Sequence, residues 1–216
     1  MHQSLMAVNL YKIHLDLISL AFQYDIAIDV LHELRKTIQR IHERTIDITK
    51  DLAQDNAEFI WENTNSAIED LHGAAFVICQ SSVTAIVSRI KAVHQFAGSE
   101  GTPINSVPSE KKDLLTFRSS VIPSKTVTQI QAVDALANYF KHNDEWPRGW
   151  VNADSRIKPT IDILHALGFQ SGNNAILRGA MELFDSNLLA LANAVNEWHE
   201  AILKELKNEF GSSGLI

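Results

Sequence analysis

The stretch that decides the fold is residues 6–52, MAVNLYKIHLDLISLAFQYDIAIDVLHELRKTIQRIHERTIDITKDL. Within it Met6, Leu10, Ile13, Leu17, Leu20, Tyr24, Ala27, Leu31, Leu34, Ile38, Ile41, Thr45, Ile48 and Leu52 recur at alternating steps of four and three. Twelve of these fourteen positions are aliphatic or Met, so the phase never breaks. A repeat averaging 3.5 residues lines one side of a helix and specifies left-handed packing against another helix, as in a coiled coil. No Gly or Pro occurs before Gly73, so nothing in the stretch forces a stop. Read as one helix, residues 6–52 would rise about 70 Å.

Working outward, two segments argue for interruptions. Thr45-Ile46-Asp47-Ile48-Thr49 is rich in β-branched and capping residues, which places a break near Asp47 or Thr49. Glu62-Asn63-Thr64-Asn65-Ser66 reads as a turn, with Ser66 and Glu69 as a capping box opening the next helix. That helix runs to about Ala97 on a stripe of Phe76, Cys79, Val83, Ile86, Ile90, Val93 and Ala97. The N-terminal half is therefore expected to be a helical hairpin or a three-helix arrangement.

Residues 98–125 form a different kind of segment. It holds Gly98 and Gly101 and three of the five prolines, Pro103, Pro108 and Pro123, and reads as a connector or a long functional loop. Helices resume near Thr126 and stop at Trp146-Pro147. One follows over Ile157–Leu167, ended by Gly168, and another over Asn174–Phe184. Asp185 or Ser186 caps a last helix to about Phe210, ended by Gly211, on a stripe of Leu188, Leu191, Val195, Trp198, Ile202 and Leu206. No stretch alternates with period two and no fixed repeat occurs. The expectation is an all-α, elongated antiparallel helical bundle. It comprises residues 1–97, the connector 98–125, and a helical part 126–216 packed on the first as one domain.

Composition narrows the function classes. Of 216 residues 45% are hydrophobic and 21% charged, which is ample for a core without disulfides or metal. The single cysteine, Cys79, fits a reducing compartment and a core position. The net charge is −7, and it divides as eight basic against twelve acidic residues before position 98 and eleven against fourteen after it. No basic half exists, so nucleic acid is not an expected partner. The N-terminus carries His2, Lys12, His14 and Asp16 and does not read as a secretory signal. The most apolar stretches, 15–28 and 74–90, contain Asp16, Asp25, Gln80 and Arg89, so no membrane partner is expected and the cytoplasm is the expected location.

Few residues form a chemical constellation. Asp134, Asn138, Lys141, His142 and Glu145 are three and four apart and share one polar helix face opposite Val133, Leu136 and Phe140. That face offers a general acid/base in His142, a cation in Lys141 and an amide in Asn138, the candidate catalytic residues. Beyond it, Glu145, Trp146, Arg148 and Trp150 are candidate ligand-binding residues, since an aromatic-basic run can line a pocket. The same residues also suit a solvated helix end and a packed corner. His32-Glu33 and His42-Glu43 do not make a zincin motif, and the nucleotide and phosphate loops are absent, so neither a metal nor a cofactor is expected.

The string Asn138-Tyr139-Phe140-Lys141-His142-Asn143-Asp144-Glu145-Trp146 resembles a segment of all-helical bacterial proteins of mobile-cassette type whose role is unknown. Asn138 and His142 are also distantly similar to the Arg-Asn-x-x-x-His motif of HEPN-type nucleases, with Ala137 where the arginine stands. That resemblance implies cleavage of an RNA backbone across a dimer, or an inactive relative, in bacterial defence or a toxin–antitoxin pair. From the residues themselves the leading expectation is a non-enzymatic helical module that self-associates as a homodimer and binds a protein or small-molecule partner. A heptad face as long as residues 6–52 has to be covered.

Overall fold

The computed structural model describes residues 2–101, 103–171 and 176–212, with side chains described for 25–101, 103–171, 177 and 180–209. Among these residues the protein is all-α: α1 (His2–Thr49), α2 (Gln54–Ser99), α3 (Lys111–Leu114), α4 (Gln129–His142), α5 (Lys158–Leu167), α6 (Ile176–Glu182) and α7 (Leu188–Ser212). Two 3-10 turns, Asn143–Glu145 and Arg148–Trp150, link α4 to α5. No strand occurs among the described residues, only a bridging pair between Val121 and Thr128. The architecture is an elongated helical bundle.

Among the described residues the seam is covered from Leu31 to Thr45 and opens beyond it, where Ile48 and Leu52 are exposed. α1 is one unbroken helix of 48 residues, about 72 Å long, and ends at Thr49 among the β-branched residues that mark its stop. Leu31 is fully buried, Leu34 and Ile38 pack on the core, and Thr45 is buried. The seam positions from Met6 to Tyr24 lie outside the described side chains.

The expected turn at residues 62–66 is not one. α2 runs straight through it for 46 residues. The side chains that favour turns find other partners here: Asn63 Nδ2 donates to the Phe59 carbonyl at 2.7 Å, and the Thr64 and Thr45 hydroxyls meet at 3.0 Å across the seam. With those groups satisfied, packing against α1 outweighs local preference.

α2 is the central element, touching α1, α4, α6 and α7. Phe76, Val83 and Ile90 on it are fully buried, which accounts for apolarity sufficient by length and composition for a membrane span. Segment 98–125 is no free tether. Ile104, Val107, Leu114, Leu115 and Ile122 are buried in the common core. Trp198 Nε1 donates to the carbonyls of Leu114 at 3.1 Å and Phe117 at 3.0 Å. Glu209 of α7 accepts from the backbone N–H groups of Asn105 and Ser106 and from the Ser106 hydroxyl.

Several helix ends shift from the sequence expectation: α4 stops at His142, short of Trp146-Pro147, and α6 spans Ile176–Glu182. α4 starts at Gln129, because Thr128 and Gln131 form a reciprocal capping box. α5 ends at Gly168, whose φ of 98° only glycine adopts without strain. α7 is capped by Asn187, whose Oδ1 accepts from the Leu189 N–H at 3.1 Å, rather than by Asp185 or Ser186. Its backbone passes Gly211 and reaches Ser212.

Toward the α1–α2 turn the hairpin becomes an arm. The outermost α1 residue packed on the core is Ile38, and on α2 the core begins at Ala75. α4 accompanies α2 as far as Gly73 and Glu69, and nearer the tip α1 and α2 hold each other by the Thr45–Thr64 contact and by an edge-on His42–Trp61 contact at 5.2 Å.

Candidate functional site

The polar face of α4 is split: Asp134 is buried and Asn138 half-buried toward α2, while Lys141, His142 and Glu145 are exposed. Gln80 of α2 is buried, and the two hydrogens of its amide nitrogen are shared among three acceptors, the Asp134 carbonyl (3.1 Å), Asp134 Oδ1 (2.9 Å) and Asn138 Oδ1 (2.8 Å). Its Oε1 accepts from Lys141 Nζ at 2.7 Å, and Lys111 reaches Asp134 Oδ1 at 2.8 Å. Asn138 and Lys141 therefore belong to a junction that ties α4 to α2 and α3. A buried glutamine can sit there only because each of its polar atoms is matched. Gln80 and Lys111 were missed by sequence reasoning. Their only signal is a lone amide on an apolar helix, and nothing local connects them to residue 134.

His142 and Glu145 part from that junction. His142 is exposed at the end of α4, with Nδ1 3.5 Å from Glu145 Oε1, and Glu145 is more exposed still. The HEPN-like pair is thus divided: Asn138 is engaged by Gln80, and His142 stands one turn on beside a carboxylate. The Glu69-x-x-His72 spacing in α2 is the one pattern here that a carboxylate-bridged metal site uses, and such a site needs two of them. Among the described residues no three His, Cys, Asp or Glu gather as metal ligands. His72 Nδ1 and His199 Nε2 are buried without hydrogen-bond partners, and burial lowers the pKa of both. Cys79 is a buried core residue, and that burial pushes its thiol up to about 12.

The Trp corner comes together as a unit. Tyr139, Trp146 and Trp150 meet edge to face, with centroids 5.7, 6.1 and 6.1 Å apart, and Trp150 lies 5.4 Å from the His165 ring. The chain turns there through left-handed backbone at Gly149 (φ 69°), Trp150 (φ 55°) and Asn152 (φ 59°). The last two are not glycines, and such positions persist only where the surroundings enforce them. Burial, followed by the charges of Glu69 and Asp144, raises the pKa of the Tyr139 hydroxyl. Beside the corner opens a cavity of about 440 Å³, lined by Gly149, His165, Gly168, Phe169, Gln170 and Ser171. None of these is acidic. A Cβ at Gly168 would lie 3.3 Å from Lys125 Nζ, so that ammonium stands at the cavity's edge. Arg148 is exposed next to Gly149.

A second candidate surface is the tip of the arm. Eight large hydrophobic residues are exposed among the described ones, and Ile46, Ile48, Leu52 and Phe59 are four of them. Phe59 is the most exposed, at 66%. Sequence reasoning identified Ile48 and Leu52 as seam residues but had no signal for their exposure, because the period is the same with or without a third helix. Comparison with family models, with curated proteins and with solved structures finds no match to this chain.

Proposed function

We propose that this chain is a helical interaction module that self-associates and works through the α1–α2 arm. The observation that carries the reading is the concentration of exposed Ile46, Ile48, Leu52 and Phe59 within fourteen residues, on an arm without a third helical layer. Apolar side chains gathered at one end of a molecule are stabilised by an interface that removes them from water. The polar side chains of α4 support the same reading from the other direction, since Asn138 and Lys141 serve in a helix–helix junction. Sedimentation over roughly 1 μM to 1 mM tests it. The expected result is a species of about twice the 24.1 kDa chain mass, reverting to the single-chain mass in Ile48→Glu and Leu52→Glu variants of unchanged circular dichroism. A single-chain mass for the unmodified protein throughout that range overturns it.

A further inference from the structure

We infer that Tyr139, Trp146 and Trp150 form an aromatic cage that binds a small molecule through a methylated ammonium group, with Glu69, Asp144 and Glu145 supplying a negative rim. The site is separate from the arm and stands or falls independently of self-association.

Ring geometry is the first argument. The three centroids lie 5.7, 6.1 and 6.1 Å apart, and the ring planes cross at 71°, 74° and 73°. Stacked rings hide each other's faces, whereas an edge-on contact covers a face of one ring and leaves the faces of the other open. With centroids this close, a point about 3.5 Å out from their common plane stands about 5 Å from each of them. That is inside the roughly 6 Å over which a ring face attracts a cation. Tyr139 and Trp146 are half-buried, so the group meets solvent on their side, while Trp150 is backed by the His165 ring at 5.4 Å. Trp150 holds φ 55°, an outlier for a bulky residue, and the strain falls on the third ring of the group.

Charge is the second. Burial raises the pKa of Tyr139 and the charges of Glu69 and Asp144 add to the rise, so both carboxylates lie within electrostatic reach of the rings. Among the described residues Asp144 forms no ion pair, and Glu145 meets only His142, at 3.5 Å. The neighbouring cations are engaged elsewhere: Lys141 donates to Gln80, Arg156 holds Asp154 and Lys158 holds Asp162. Arg148 is exposed, and the one cation–π contact among the described residues is Arg118 over Phe117, so no side-chain cation caps the three rings.

Rings and carboxylates together select the ligand. A methylated ammonium turns apolar methyl surface to the aromatic faces and keeps a full charge for the ring quadrupoles and the rim. A primary ammonium is compact and strongly hydrated, and gives up its water less readily. A neutral group of the same shape gains nothing from the carboxylates.

Titrating tetramethylammonium and choline with the full-length protein, and following their methyl proton resonance, tests this, because protons held over ring faces shift upfield. The expected result is a saturable upfield shift with half-saturation on the order of 1 mM. Dimethylbutanol, the neutral carbon isostere of choline, is expected to bind at least about tenfold more weakly. Trp146→Leu is expected to abolish the shift and Trp146→Phe to retain part of it, with circular dichroism unchanged. Asp144→Asn is expected to weaken binding about threefold at low salt, a loss that shrinks as salt is raised. The absence of a saturable shift up to about 20 mM overturns the proposal. So does a neutral isostere that binds as well as choline, or a full shift retained in Trp146→Leu.

Discussion

Gly73 sits in the middle of α2 with the ring of Phe140 lying on it, and replacing it with alanine sets two known effects against each other. A Cβ there would stand 2.1 Å from Phe140 Cδ2, 2.4 Å from Cε2 and 2.5 Å from Cγ. Ordinary contact begins at 3.4 Å, so the nearest ring carbon must retreat by about 1.3 Å, from 2.1 to 3.4 Å. Alanine in a helix interior gains about 1 kcal/mol over glycine. Forcing an extra methyl into packed surroundings costs roughly 1–3 kcal/mol. Phe140 is half-buried against the core, so escape by swinging outward gives up about 1 kcal/mol of burial in addition. The overlap is with three ring atoms rather than one flexible end, so the cost wins, and Gly73→Ala is expected to destabilise by about 1–3 kcal/mol net. In a Phe140→Ala background the obstacle is gone, and the same substitution is expected to stabilise by up to about 1 kcal/mol. Urea unfolding followed by circular dichroism, with m unchanged, measures both changes. The reversal of sign is the diagnostic. If Gly73→Ala stabilises the unmodified chain, the α2–α4 contact described above is wrong.

Three further outcomes follow from side chains described above. Gln80→Leu leaves Asn138 Oδ1 and Lys141 Nζ without their buried partner and is expected to cost about 1–3 kcal/mol in the same unfolding assay. His72 and His199 have pKa values lowered by burial, so below the ordinary value of 6.5 the unfolded chain binds protons that the folded chain refuses. Stability is therefore expected to fall as pH drops from 7 through 6.5 toward the lowered folded values, and His199→Gln flattens that slope; a slope identical in the variant refutes it. Cys79, with a thiol pushed up to about 12, is expected to ignore a thiol reagent in the native protein and to react fully in denaturant.

The long α1 helix and its stop at Thr49 were legible because a heptad repeat and a cluster of β-branched residues are local signals. The turn expected at residues 62–66 was misread for the same reason. Local propensity weighs Asn63 and Thr64 as turn formers and has no knowledge of the Phe59 carbonyl or of Thr45, nineteen residues away, which satisfy them. The polar face of α4 was correct in its members and incomplete in its surroundings, because Gln80 lies 54 residues before Asp134. Spacing on one helix reports which residues share a side and says nothing of what covers that side. The Trp corner was visible as a composition. Its geometry depends on left-handed backbone at Trp150 and Asn152, which no residue type there announces.

Because α2 continues without interruption from the arm into the core, the two ends of the hairpin have a fixed bearing. Its 46 residues make a strut about 69 Å long, and bending it would break helical hydrogen bonds with no Pro inside to absorb the strain. Whatever the tip engages is held at a set distance and angle from α4 and from the Trp corner. The molecule thereby acts as a ruler: the spacing between two joined bodies is written into the length of one helix. Inserting seven residues into each helix of the arm would lengthen that spacing by about 10 Å while turning the ends by only about 20°.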